Sequence, residues 1–191
     1  MALDDALATL FDKLRTEQAS VLELLVHPGT DRDEAQAALL EFSGNAPQEL
    51  VTWFTWMNGL AENDWQRPHR TMLIGRWRPH SLHEAIAATH RYRDQMPPVI
   101  RDRLPASWLE ICYMEKHRLL VDTAADPTTA PVIVRNFYGD PDANVADSLE
   151  GLIHLWLQLF DYGMFWDSER LGWRIASVEG VPDPVLRAAP W

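Results

Sequence analysis

The sequence predicts an α+β domain in which a run of helices opens the chain, a block of β-strands follows and a strong helix closes the core. Three observations carry this. Apolar residues recur at close to a 3.6-residue period as far as Gly59, three β-rich runs follow one another between Trp108 and Asn136, and a second amphipathic stripe begins after Asp147. Helices and strands segregate along the chain instead of alternating, which argues against a wound parallel sheet. The expected architecture is therefore a mainly antiparallel sheet flanked by N-terminal helices and a C-terminal helix.

From Leu3, the positions Leu7, Leu10, Phe11, Leu14, Val21 and Leu25 hold close to a helical period, and His27-Pro28-Gly29 ends the run. Thr30 with Asp33 resembles the cap of a second helix, which carries Leu39, Leu40 and Phe42 and stops at Ser43-Gly44. Pro47 suits the first turn of a third helix. Leu50, Trp53, Phe54 and Met57 share one of its faces, and Asn58-Gly59 can take the left-handed conformation that closes it. Leu60 to Arg70 is polar and irregular, and Thr71 to Gly75 reads as a short strand. Ser81 with Glu84 forms a capping box for a helix that ends before Pro97-Pro98. Trp108 to Tyr113, Arg118 to Asp122 and Pro131 to Asn136 are predicted strands, the first two forming a hairpin. Asp147 with Glu150 is a further capping box, for a helix striped by Leu149, Leu152, Ile153, Trp156 and Phe160 and ended by Gly163. Beyond it, Phe165 to Trp191 is apolar in places without a period.

No repeat, low-complexity tract or flexible linker interrupts the 191 residues, so a single domain over 1–191 is expected. The lone Cys112 cannot form an internal disulfide and rules out multi-cysteine zinc or redox motifs. The start, Met1-Ala2-Leu3-Asp4-Asp5, lacks the pattern of a secretory signal. The longest apolar stretch, Gly151 to Trp166, is broken by His154, Gln158 and Asp161. A cytoplasmic location and no membrane partner are expected.

Net charge is -11, which argues against nucleic acid as the main partner and favours a basic one. The distribution is uneven. Residues 1–63 hold 3 basic and 11 acidic side chains, 64–103 hold 8 and 4, and 104–191 hold 6 and 13. Arginines from Arg67 to Arg103, interleaved with Trp65, Trp77 and Tyr92, could stack on bases, but the flanks would repel the same strand. A solvated face, or a patch meeting an acidic protein surface, is the preferred reading.

Sites of chemistry are sparse. Asp140-Pro141-Asp142-Ala143-Asn144 has the spacing of a calcium loop, but Val145 and Gly151 stand where such a loop needs Gly and Glu. His80, His83 and His90 lack a companion HExxH motif or a nearby cysteine, so neither a metal nor a cofactor is expected. There is no GxSxG, P-loop or GxGxxG sequence, and Cys112 inside a strand reads as a small buried hydrophobe. A carboxylate pair for acid–base work is the one catalytic arrangement left open.

Two stretches resemble a family. Pro47-Gln48-Glu49-Leu50-Val51-Thr52-Trp53 through Asn58-Gly59 is similar to the P-x-E-L-x-x-W-(x4)-N-G helix of the SUKH superfamily, the SMI/KNR-type bacterial immunity and binding proteins. Trp108-Leu109-Glu110-Ile111, followed by Leu119-Leu120-Val121-Asp122, resembles that family's strand pair, and Ser148-Leu149 resembles the start of its closing helix. Glu110 replaces the family's usual Pro, and Met114-Glu115-Lys116-His117 replaces its glycine-rich turn. The resemblance implies a SUKH-like core over about 40–162, with an N-terminal helical extension over 1–39 and a C-terminal segment over 163–191. It also implies a non-enzymatic protein-binding module, chiefly an immunity protein that neutralises a bacterial toxin, for which a basic nuclease would suit the acidic charge. The alternatives are an intracellular regulatory or scaffold module of the same fold, or a small carboxylate-dependent hydrolase. Pro47, Leu50, Trp53, Asn58, Gly59, Trp108 and Asp122 are expected to hold the fold, and Asp126, Asp140 and Asp142 to face a basic partner first.

Overall fold

The computed structural model describes residues 2–61, 68–101, 104–126, 128–136 and 143–189. The helices are α1 (Leu3–Thr16), α2 (Arg32–Ser43), α3 (Gln48–Trp56), α4 (Leu82–Gln95), α5 (Pro98–Arg101), α6 (Leu149–Asp161) and α7 (Asp183–Ala188). The strands are β1 (Arg78–Pro79), β2 (Trp108–Met114), β3 (His117–Asp122), β4 (Val132–Asn136), β5 (Ala143–Ala146), β6 (Met164–Asp167) and β7 (Gly172–Ile175). The first five strands form one sheet in the order β1-β2-β3-β4-β5, each antiparallel to its neighbour, and β6 and β7 pair separately as a hairpin. The fold is α+β, as the segregation of helices and strands along the chain predicts.

One apolar cluster gathers Leu7 and Leu10 of α1, Leu50 and Trp53 of α3, Ile111 and Val121 of the sheet, Trp156 of α6 and Val185 of α7. Leu50 and Trp53 are fully buried, and the Trp53 and Trp156 rings lie 6.3 Å apart. The helix that packs along β2 is α4, while α3 packs mainly against α1, α2 and α6.

Several local expectations need correction. The first helix stops at Thr16 instead of running to Leu25, and a short 3-10 turn at Ser20–Glu23 follows it. Gln18 adopts a left-handed φ of 54°, the Gln18 N–H donates to the Arg15 carbonyl and the Ala19 N–H to the Leu14 carbonyl. Those two bonds are a Schellman end, built here without glycine. Asp31, not Thr30, caps α2 by accepting from the Asp33 and Glu34 N–H groups, and Ser148, not Asp147, caps α6 by accepting from the Gly151 N–H. The predicted strand Thr71 to Gly75 is a tight fold-back in which the Leu73 N–H donates to the Trp77 carbonyl, because Gly75 takes a φ of 56°. Trp108 is half-buried, against a small satellite cluster of Tyr92, Met96 and Leu104, and not in the main core. The segment after Gly163 is tied in by the Ala188 carbonyl, which accepts the indole N–H of both Trp77 and Trp156 at 2.8 Å.

The motif around α3 does most of the joining. Pro47 precedes the first turn, and Glu49 is buried, with one carboxylate oxygen accepting from the Ala130 and Leu149 N–H groups and the other from the Glu150 N–H. Together with Ser148, Glu49 therefore satisfies the first three N–H groups of α6, where the helix dipole also favours an anion. At the other end α3 is closed by an extended Met57, one residue ahead of Asn58-Gly59. Asn58 Oδ1 accepts from the Leu82 N–H at 2.8 Å and so helps to cap α4, alongside the Ser81/Glu84 box. Gly59 sits at φ 69°, and a Cβ there would lie 2.2 Å from the Ser81 nitrogen, so the crossing needs glycine. Asp122 accepts from the Ser107 hydroxyl at 2.7 Å and from the Ala124 N–H at 3.0 Å, fixing the turn after β3.

Two outcomes follow for urea unfolding. Trp53→Ala should cost about 3 to 5 kcal/mol through lost burial and the cavity left behind. Glu49→Ala, which strands three backbone N–H groups, two of them buried, should cost at least about 3 kcal/mol, and Glu49→Gln, which keeps an acceptor oxygen, clearly less. A loss below about 1 kcal/mol for Glu49→Ala would show that these bonds do not hold α6.

Candidate functional site

The face where α4 crosses β2 and β3 carries a buried ionic cluster. Glu110 interrupts the apolar run of β2 and is 3% exposed; the strand is bulged between Glu110 and Cys112. The Glu110 N–H donates to the Thr89 hydroxyl, which donates to the Ala85 carbonyl, so α4 and β2 are pinned at this point. The side chain is held from two sides, with His80 Nε2 3.0 Å from Oε1 and Arg118 Nε 3.2 Å from Oε2. A carboxylate only accepts, so the His80 contact requires a hydrogen on Nε2. His80 itself is set by its N–H, which donates to the Ile111 carbonyl, and by its ring, stacked on Tyr113 at 4.7 Å and 16°. Arg118 donates through Nη1 to the Glu115 and His117 carbonyls and lies over the Tyr92 ring.

A pocket of about 250 Å³ opens above this cluster, rimmed by Glu84, Arg91 and Gln95. Both of its carboxylates are contacted through part of their acceptor capacity. Glu110 is shared between His80 and Arg118, and Glu84 accepts from the Ser81 N–H and hydroxyl at 3.0 Å. Glu110 Oε2, although 3.2 Å from Arg118 Nε, makes no hydrogen bond, and Glu84 is bonded through Oε2 alone, so both carboxylates keep acceptor capacity for a polar group in the pocket. Cys112, beside Glu110, is fully buried. Burial, and secondarily the Glu110 charge, push its thiol well above the ordinary range, so it stays protonated and is a poor nucleophile.

Of the residues expected to face a partner, Asp126 lies exposed on the β3–β4 connection. Its carboxylate accepts from the Thr128 hydroxyl and from the Thr128 and Thr129 N–H groups. These bonds, the Thr128 hydroxyl first, hold its pKa below the ordinary value, so its charge persists to lower pH. Asp140 and Asp142 lie outside the described residues. Asp147, just past the end of β5, is on the Asp126 side of the sheet, because Ala146 pairs with Val132, where β4 begins.

The histidines do not converge. His80 belongs to the Glu110 cluster, while His83 and His90 are exposed on α4, and His90 meets Phe42 edge-on. Among the described residues no three His, Cys, Asp or Glu side chains are grouped to hold a metal ion, and no helix is long and apolar enough to cross a membrane. Within the arginine-rich stretch Trp77 and Tyr92 are buried and present no face for stacking; Trp65, Arg67 and Arg103 lie outside the described residues. Arg70 pairs with Glu23 at 2.6 Å and Arg76 with Glu115 at 3.0 Å. The chain matches no protein-family model, and no curated protein matches it.

Glu110 is the residue of this cluster that went unassigned in the sequence, although a carboxylate between Leu109 and Ile111 in a β-rich run is a visible anomaly. Glu110→Ala would leave His80 and Arg118 without their shared anion, at a cost of about 3 kcal/mol, the low end for a broken buried pair because both keep some contact with water. Cys112 offers a second readout on the same strand: in the parent chain a thiol reagent should label it only as fast as the protein unfolds, and Glu110→Ala should speed that labelling. Rapid labelling of the folded parent would contradict the buried position.

Proposed function

We propose that this chain is a non-enzymatic, SUKH-like protein-binding module that acts as an immunity protein in the cytoplasm, neutralising a basic toxin domain by covering it without a cofactor. One observation chiefly supports this reading. The separate stretches that resemble the family are tied together: Glu49 reaches the Leu149 and Glu150 N–H groups next to Ser148, and Asn58 caps α4, which lies along the strand begun by Trp108. Residues that serve each other in this way hold a fold and leave the surface free to vary with the partner.

Charge supports the choice of partner. Asp4, Asp5 and Asp12 on α1 and Asp31, Asp33 and Glu34 at the start of α2 are all exposed, so much of the acidic surplus faces solvent where it can steer a cationic protein.

The reading expects the adjacent reading frame to encode a secreted protein with a C-terminal toxin domain, and the test is co-expression with that domain. Growth rescue together with a stable complex is the expected result, and rescue failing for a toxin that remains active would overturn the reading. In the same system, replacing Asp126, Asp140 and Asp142 by Asn should lower the association rate and flatten its salt dependence, with a smaller change in dissociation. Equal association rates for variant and parent at low salt would remove these residues from the encounter surface.

A further inference from the structure

The β6–β7 hairpin leaves one strand edge open. A groove of about 490 Å³ runs along β7, lined by every residue from Leu171 to Ile175, with Met72, Gly75 and Arg76 completing it. No β6 residue contributes, so the groove lies on the side of β7 away from its partner. The hydrogen-bond phase of the hairpin is set by the Ala176 N–H, which donates to the Gly163 carbonyl. In an antiparallel pair bonded and non-bonded positions alternate, so Arg174 and Gly172 bond to β6, while Trp173 and Ile175 turn their N–H and C=O groups outward, into the groove. Among the described residues no backbone group bonds to them there.

Other edges of the fold are blunted. β1 is two residues long and ends in Pro79, and β5 is packed against α6 and α7. The β7 edge has neither protection, and beside it Leu171 and Val178 stay 45% and 58% exposed. Side chains on the two faces of the hairpin differ. Trp173 and Trp166 face inward and are buried, while Arg174 and Phe165 face outward and are exposed. An added strand would thus meet Ile175, Met72 and Leu171 on its inner face and Arg174 on its outer face, and Arg174 has no ion pair among the described residues.

We infer that β7 is a docking edge for an extended segment of a partner protein in which apolar residues alternate with acidic ones, held by strand addition. The inference is independent of toxin neutralisation, which is assigned to the acidic surface and tested by growth rescue.

The probe is a capped six-residue peptide alternating Val and Glu, titrated into the full chain while amide exchange is followed by NMR. At saturation the Trp173 and Ile175 amides should exchange at least tenfold more slowly, with little change at Arg174, whose amide is already bonded. Methylating the peptide nitrogens at either the Val or the Glu positions should abolish binding in one version only, because a strand bonds through alternate residues. Arg174→Glu should weaken the Val/Glu peptide at least tenfold and favour a Val/Lys one. Ile175→Pro removes an outward N–H without touching a bond to β6 and should abolish binding; should it fail to fold, the exchange data on the parent and the Arg174→Glu result decide. The inference is overturned by unchanged Trp173 and Ile175 amides at millimolar peptide, or by equal binding of both methylated peptides. Protection of the two amides by self-association, seen as a concentration-dependent dimer in sedimentation, would give the edge to a second copy of the chain and equally overturn it.

Discussion

A single buried carboxylate organises this fold. Glu49 brings a negative charge into the interior, which by itself would cost several kcal/mol of lost hydration. The charge is tolerated because three backbone N–H groups converge on it, two of them from the first turn of α6, where the helix dipole is favourable to an anion. The consequence is positional. The start of α6 and the strand entry at Ala130 have a common anchor on α3, and Asn58, just past the other end of α3, fixes the start of α4. A helix of nine residues thereby sets where the two longer helices beside the sheet begin. An apolar side chain at position 49 could fill the volume but would leave three donors unmet.

The same logic separates what was legible in the sequence from what was not. Local patterns carried well: the α3 and α6 stripes, the Ser81/Glu84 box that starts α4 and the β2–β3 hairpin all depend on neighbours within a few residues. Signals with a near-degenerate competitor slipped. Asp147 and Ser148 are both good caps, and only the backbone path decides that Ser148 serves. The periodic run from Leu3 continues in sequence past Gln18, yet the chain turns there without glycine or proline to mark it. Leu73 and Ile74 read as strand because they are apolar and adjacent, whereas their burial comes from a fold-back at Gly75.

The candidate site was least legible because its parts meet only in three dimensions. Glu110 finds His80 from 30 positions earlier, and Glu49 finds Leu149 from 100 positions later. Periodicity has no access to such distances. The C-terminal segment is a similar case. It lacks a period because it is short strands and a short helix, and its end is fastened by the Ala188 carbonyl, shared by the indoles of Trp77 and Trp156. That clamp brings the last helix onto the core, and Trp173, reaching the Met72 carbonyl at 3.3 Å, seats β7 beside the fold-back that completes the groove.

Charge segregation along the chain acquires a different meaning in the folded state. The central stretch is rich in arginine, and two of these cations meet acidic residues from the flanks, Arg70 with Glu23 and Arg76 with Glu115, while Arg93 donates to the Pro105 carbonyl. Exposed pairs of this kind add little stability. Their effect is on the field, because a cation covered by a carboxylate no longer offsets the exposed carboxylates elsewhere. On α1 Asp12 is paired with Arg15 at 3.2 Å, and the exposed Asp4, Asp5, Asp31, Asp33 and Glu34 are left to favour encounter with a basic protein. Arg174, on the hairpin, is an exception with no such partner among the described residues, and it lies on the strand whose edge is open. The two features point in opposite electrostatic directions, so a surface that attracts a basic partner and an edge that accepts an acidic segment can be occupied by different proteins without competing for the same charge.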